Sequence, residues 1–150
     1  MFVSKHWSVT EWDCYQRSSN EYAWDNEYGK LCTEDERTAH LFTILDNLYE
    51  QDPSIQVNWT FYKPQFGMAL RSGYRDEEAN FACGGEPNSY HTQGCAADIH
   101  FGNYDYTGEQ LAEKILLTAS WFGLQDKLGI GVYKDWLHID TRGYSAYWHS

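Results

Sequence analysis

The chain has 150 residues, enough for one domain over 1–150 with one sizeable core. Its formal net charge of −11 argues against nucleic acid and anionic membrane as partners, because both reward clustered Lys and Arg. No apolar run approaches the roughly 18 residues that cross a bilayer. Met1-Phe2-Val3-Ser4-Lys5-His6-Trp7 has no long apolar stretch behind its lysine, so it does not read as a signal peptide.

In chain order, Ser8-Val9-Thr10-Glu11 has the form of a capping box and opens a short helix over 8–15. Residues 16–32 are polar and read as a loop. Thr33-Glu34-Asp35-Glu36 reads as a second capping box. Behind it Leu41, Phe42, Ile44, Leu45 and Leu48 recur at helical spacing, until Asp52-Pro53 ends the helix. Ile55, Val57, Trp59 and Phe61 alternate with polar partners and predict a strand over 55–62, with a second candidate strand over 68–72. Asp76 to Cys83 predicts a short helix stopped by Gly84-Gly85, and Glu86-Pro87-Asn88-Ser89 is turn chemistry. Ala96–Phe101 is apolar enough for a central strand. Thr107-Gly108-Glu109-Gln110 reads as a third capping box, and its helix runs through Leu111, Ile115, Leu116 and Ala119 to Gly123. Residues 129–141 read as a hairpin. There is no repeat, low-complexity tract or linker. Helices mixed with short strands, without β-α-β alternation, predict an α+β fold whose mostly antiparallel central sheet is flanked by helices.

Of the four cysteines, Cys14, Cys32, Cys83 and Cys95, none forms a Cys-x-x-Cys pair, so a zinc knuckle is not expected. Three disulfide connectivities are open. Cys14–Cys32 would close the polar N-terminal loop, Cys83–Cys95 would staple the segment before residue 96, and free buried thiols are the other reading.

His91 and Asp98 lie seven apart across a Gly94 turn. That spacing is common, and a histidine taken singly reads as a surface or hydrogen-bonded core residue. The wider pattern is more specific. Ser72-Gly73-Tyr74-Arg75, Gly84-Gly85-Glu86-Pro87-Asn88-Ser89-Tyr90-His91, Gly94-x-Ala96-Ala97-Asp98 and Trp136-Leu137-His138-Ile139-Asp140 follow in this order. The set resembles the zinc D-Ala-D-Ala carboxypeptidase family, whose fold is shared with the hedgehog signalling domain. Its hallmark Ser-x-His-x-x-Gly-x-Ala-x-Asp is met by Ser89, His91, Gly94, Ala96 and Asp98. The resemblance is strong over roughly residues 70–143 and weaker from residue 6.

The resemblance implies Zn2+ ligands at His91, Asp98 and His138. Two imidazoles and a carboxylate suit zinc and leave a fourth position for water, the ligand count of a catalytic ion. It also implies a general base at Asp135, three residues before His138, where many relatives carry Glu. The other reading of Asp135 is a turn residue after Lys134. Arg75 matches the family arginine that binds substrate and steadies charge at the scissile carbonyl; otherwise it is a surface ion-pair partner of Glu77 or Glu78. Ser89 is either a substrate-binding hydroxyl near the metal or a turn residue. Asp140 reads as a support for the His138 ring or as a partner of Arg142. His100 shares a face with Asp98 but stays outside the ligand set, since a fourth protein ligand would close the site. His6, His40 and His149 carry no surrounding pattern and read as surface or packing residues. Trp136, Tyr90, Tyr104 and Tyr106 read as core residues or as a cleft lining.

The family includes D-Ala-D-Ala carboxypeptidases, D,D-dipeptidases and L-alanyl-D-glutamate endopeptidases, phage endolysins among them. The expectation is therefore a monomeric zinc metallopeptidase acting on peptidoglycan stem peptides. It would be made in the cytoplasm without a signal peptide and would act at the cell wall or periplasm. The alternative is a non-catalytic zinc-binding or scaffold domain of the same fold.

Overall fold

The structure is a computed structural model and describes residues 1–57, 73–101 and 106–150. Ser8 starts the first helix, α1 (Val9–Trp12), through a capping box: its hydroxyl accepts from the Glu11 amide while the Glu11 carboxylate accepts from the Ser8 amide. The stretch 16–32 is not loop throughout. Phe2–Val3 (β1), Trp24–Asp25 (β2) and Leu31–Thr33 (β3) form a small antiparallel sheet in the order β1-β3-β2. The β2–β3 turn is fixed by the Asn26 side-chain oxygen, which accepts from the Tyr28 and Lys30 amides. Strands of two and three residues are too short to show a period of two, so composition alone hid them.

The helix α2 (Glu36–Gln51) is capped by Asp35, not Thr33. The Asp35 carboxylate accepts from the Thr38 amide at 3.0 Å. Thr33 ends β3 instead; its hydroxyl donates to the Tyr22 carbonyl and accepts from the Asp35 amide. Ile55–Val57 (β4) begins the strand expected over 55–62. The rest of that strand, and the one expected over 68–72, lie outside the described residues. Asp76 caps α3 (Glu77–Ala82), and β5 (Ala96–Phe101) falls where a strand was expected. Thr107 and Gln110 form the third capping box, heading α4 (Gly108–Ser120). Gly129–Val132 (β6) and Leu137–Asp140 (β7) form the expected hairpin. A further strand that the sequence did not suggest, β8 (Ala146–His149), runs parallel to β6.

The larger sheet has the order β4-β5-β7-β6-β8, and every pairing but β6–β8 is antiparallel. The expected α+β architecture is the observed one. Successive side chains on a strand point to opposite faces, so the sheet has two distinct sides. One carries Ala97, Ile99, Ile130, Val132, Leu137 and Ile139, which bury themselves with Leu41, Phe42, Leu45 and Leu48 of α2 and Ala112, Ile115 and Ala119 of α4. Each large aliphatic or aromatic side chain so buried contributes about 1.5–3 kcal/mol. The other side carries Asp98, His138 and Asp140. The register puts Asp98 opposite His138, His138 opposite Gly131, and Gly131 opposite Trp148, a single row across four strands.

All four cysteines are free thiols. Burial, helped by Asp13, pushes Cys14 up to about 12, and burial pushes Cys95 up to about 11, so both are held as inert thiols at neutral pH. Among the described residues, no helix is long and apolar enough to cross a membrane.

Candidate metal centre

Three segments converge on the polar side of the large sheet: the 84–95 loop, β5 and β7. Gly94 turns the chain into β5 with a φ of +72°, a conformation that a side chain would strain, and Tyr22 fills the space a Cβ would need. That turn sets His91 beside Asp98, and the strand register sets Asp98 beside His138. One donor atom from each of His91, Asp98 and His138 lies within 4.8 Å of the others, and all three residues are at least nine-tenths buried. This is the only such cluster among the described residues. His100 shares the face of Asp98 but is not part of it, as expected.

The hydrogen bonds decide which ring nitrogens face inward. His91 Nδ1 lies 2.7 Å from the Gly73 carbonyl, which can only accept, so Nδ1 carries the proton and Nε2 turns its lone pair toward Asp98 Oδ1, 3.3 Å away. His138 is arranged the other way round. Its Nε2 donates to Asp140 Oδ2 at 2.7 Å, and its Nδ1 faces Asp98 Oδ1 at 3.2 Å. Asp98 Oδ2 accepts from Arg75 Nη2 at 3.3 Å, which leaves Oδ1 as the inward oxygen. Each donor is thus oriented by a second contact on its far side, the arrangement that metal-binding histidines and carboxylates require.

Electrostatics fits the same picture. Burial lowers the His91 pKa, and Asp98 does not fully offset it, so this ring is neutral at neutral pH. Burial also opposes charge on His138, but the bonds to Asp140 and Asp98 outweigh it and raise that ring to about 9. Burial opposes ionisation of Asp98, yet its contacts with His91 and His138 hold its carboxyl well below the usual carboxylate range. Asp140 is lowered to about 2: against burial, the Arg142 fork and the His138 bond keep it ionised. Without an ion, the His138 proton joins Arg75 in supplying positive charge beside the anionic Asp98. Two imidazoles and one ionised carboxylate, converging and buried, fit a divalent metal ion of the nitrogen- and oxygen-preferring class.

A cleft of about 390 Å³ opens over this point. Its lining includes Arg75, Gly84, Gly85, Glu86, Ser89, Tyr90, Tyr133, Trp136, Arg142 and Trp148. Arg75 is not a surface partner of Glu77 or Glu78. It is buried, and besides Asp98 its Nη1 donates to Asn80 Oδ1 at 3.2 Å and to Cys83 Sγ at 3.0 Å. Its buried Nε has no partner among the described residues. The Ser89 hydroxyl accepts from the His91 amide at 3.2 Å, and the residue lines the cleft. Asp140 likewise serves both His138 and Arg142.

Asp135 sits on the exposed turn between β6 and β7, three residues before His138, and is not among the residues lining the cleft. Its neighbours Tyr133 and Trp136 do line it, with their rings stacked 4.6 Å apart and 8° from parallel. Among the described residues, Glu86 is the one lining carboxylate besides Asp98. Tyr90 and Trp136 face the cleft, Tyr106 packs against the core, and Tyr104 lies outside the described residues. His6 pairs with Glu50, His40 with Glu36 and His149 with Glu109, surface roles as expected. Sequence reasoning missed Asn80, Tyr133 and Trp148. The available signal was Gly129 and Gly131, two glycines at strand spacing opposite a histidine strand, which announce that something large crosses them.

Comparison with known families matches residues 59–140, more than half of the chain, to the family described as peptidase M15. No curated protein and no solved structure matches.

Proposed function

Because the chain belongs to the peptidase M15 family, we propose that it is a zinc metallopeptidase that hydrolyses peptide bonds in peptidoglycan stem peptides, at the cell wall. The observation that carries this reading is the buried His91–Asp98–His138 cluster, each donor oriented from behind, at the floor of an open cleft. When bound, the ion polarises the scissile carbonyl and makes a nearby water more acidic. An Asp135 carboxylate oxygen takes a proton from the attacking water, and the proton passes to the amine as the C–N bond breaks. Asp135 is assigned this role by its place three residues before His138, on the turn whose Tyr133 and Trp136 border the cleft. Arg75 steadies the negative charge that develops on the carbonyl oxygen. Ser89 offers a hydroxyl to the peptide.

Elemental analysis of gently purified protein is expected to return close to one zinc per chain. Mass spectrometry of muropeptides after digestion is expected to show either loss of one Ala, the mark of a carboxypeptidase, or a free stem beginning at D-Glu, the mark of an endopeptidase such as an endolysin. Protein that holds no stoichiometric metal would sink this reading. A second reading, a non-catalytic metal-binding domain, draws on the exposure of Asp135 and its absence from the cleft lining. Muropeptides left intact by metal-loaded protein would favour that one.

A further inference from the structure

The cleft holds a second guanidinium, at Arg142, beside the His138 support Asp140. Its Nε donates to Asp140 Oδ1 and its Nη2 to Asp140 Oδ2, both at 2.8 Å. A planar guanidinium has two edges that can each hold a carboxylate, one through Nε and Nη2, the other through Nη1 and Nη2. Asp140 takes the first. Nη1, on the second edge, has no hydrogen-bond partner among the described residues, and the side chain lines the cleft.

Three aromatic rings fix this group in place. The guanidinium carbon lies 4.4 Å from the centre of the Tyr90 ring, 5.2 Å from Trp148 and 5.6 Å from Tyr144, and the Tyr90 and Tyr144 hydroxyls bond to each other at 3.0 Å. Trp148 is itself held, by a hydrogen bond from its Nε1 to the Tyr133 hydroxyl at 3.1 Å. The backbone makes room for the assembly: a Cβ on Gly129 would meet Arg142 and Asp140, and one on Gly131 would meet Trp148. A fixed, partly desolvated guanidinium with one edge open is a preorganised anion holder. It stands out in a chain of net charge −11.

We infer that Arg142 is a carboxylate-binding subsite of the cleft, and that it selects peptide substrates carrying an ionised carboxyl group near the bond to be cut. This rests on the peptidase reading above. In a peptidoglycan stem that carboxylate has two sources, the C-terminal carboxylate and the free α-carboxylate of D-Glu. The Nη1–Nη2 edge of Arg142 donates two hydrogen bonds to it, in the cleft that Arg75 also lines. Arg142 is then a specificity-determining residue, distinct from its bond to Asp140.

The test compares matched stem peptides on the metal-loaded protein: D-Glu against its α-amide, and a free C-terminus against its amide. Wild type is expected to favour the carboxylate form of one pair by roughly tenfold to a hundredfold in kcat/KM. Whichever pair responds identifies the source. In Arg142→Gln that preference is expected to fall close to one, whatever happens to the overall rate. A merely structural Arg142 would slow both members of each pair equally and leave the preference intact, which would overturn the inference. Equal use of all four peptides by wild type would overturn it as well. If Arg142→Gln does not fold, Arg142→Lys serves; it keeps the charge, loses the fork, and is expected to reduce the preference severalfold. Calorimetric binding of acetyl-D-alanine and its amide, and of N-acetyl-D-Glu and its α-amide, asks the same question without turnover. Wild type that cleaves no peptide but binds one of these carboxylates through Arg142 would refute the peptidase reading and leave the subsite standing.

Discussion

At the scale of single residues, the site is a line of groups in which each neighbour sets the state of the next. Arg142 holds Asp140 ionised, and Asp140 fixes His138 so that Nδ1 faces inward. In the metal-free protein that ring keeps its second proton up to a pH of about 9, and an ion must displace it to reach the lone pair. Zinc affinity is therefore expected to rise up to about tenfold per pH unit between 6 and 8 and to level off above about 9. One proton should be released per ion, measurable by calorimetry in buffers of different ionisation heat; affinity that does not change from pH 6 to 8 would contradict it. Asp140→Ala removes the acceptor behind His138 and is expected to weaken zinc binding about 10–100-fold, read by competition with a chelator. Asp135 is assigned the proton transfer, and Glu86 is a carboxylate that lines the cleft itself. Asp135→Asn is expected to lower kcat by about 10²–10⁴-fold with zinc content unchanged, and Glu86→Gln to do much less. The reverse order would move the base to Glu86.

At the scale of elements, β6 shows how a strand makes space for a site. Its sequence Gly-Ile-Gly-Val sends Ile130 and Val132 into the core and presents bare backbone to the other side. Gly131→Ala would drive a methyl group into the Trp148 ring beside His138, and such overpacking costs about 1–3 kcal/mol. Urea unfolding should show that loss, with kcat/KM reduced alongside it. Stability equal to wild type would mean that β8 slides away freely. The same element shows what the sequence could and could not convey. The helices α2 and α4 were legible because their apolar spacing and terminal caps are local signals, as was the hairpin that carries His138. The donors His91, Asp98 and His138 were legible through the pattern around them rather than through their spacing. The partner of β6 was not: Ala146–His149 is short, and its pairing is parallel and remote in sequence, a contact that no local preference encodes. Gly73 belongs to the Ser72-Gly73-Tyr74-Arg75 pattern, but that its carbonyl fixes the His91 tautomer is a backbone fact that residue identity cannot announce. The shift of the α2 cap from Thr33 to Asp35 has a similar cause, because the small sheet claims Thr33 first.

At the scale of the whole molecule, the ion would join parts of the chain that the helices do not. It would tie the 84–95 loop to β5 and β7 on the side of the sheet away from α2 and α4. An ion at about a thousandfold over its dissociation constant adds about 4 kcal/mol to the folded state. For a chain of this size that is roughly 8–16 °C in Tm. The gap between loaded and chelated protein should depend on pH, and its sign follows from His138. Its folded pKa is raised, so the stability its proton lends the metal-free fold is fully present below about 6.5 and lost as pH rises through about 9. Asp140, lowered to about 2, contributes stability that is present above about 4 and lost only as pH falls through 2, so it stays constant across this window. Raising the pH from 6 to 9 thus weakens the metal-free protein, whose buried Asp98 keeps Arg75 but loses the charge on His138. The loaded protein keeps the ion as that partner throughout. The Tm difference measured by calorimetry with and without chelator should therefore widen steadily from pH 6 to pH 9. A constant difference would mean that the proton on His138 does not stand in for the metal, and the electrostatic account of the cluster would have to be abandoned.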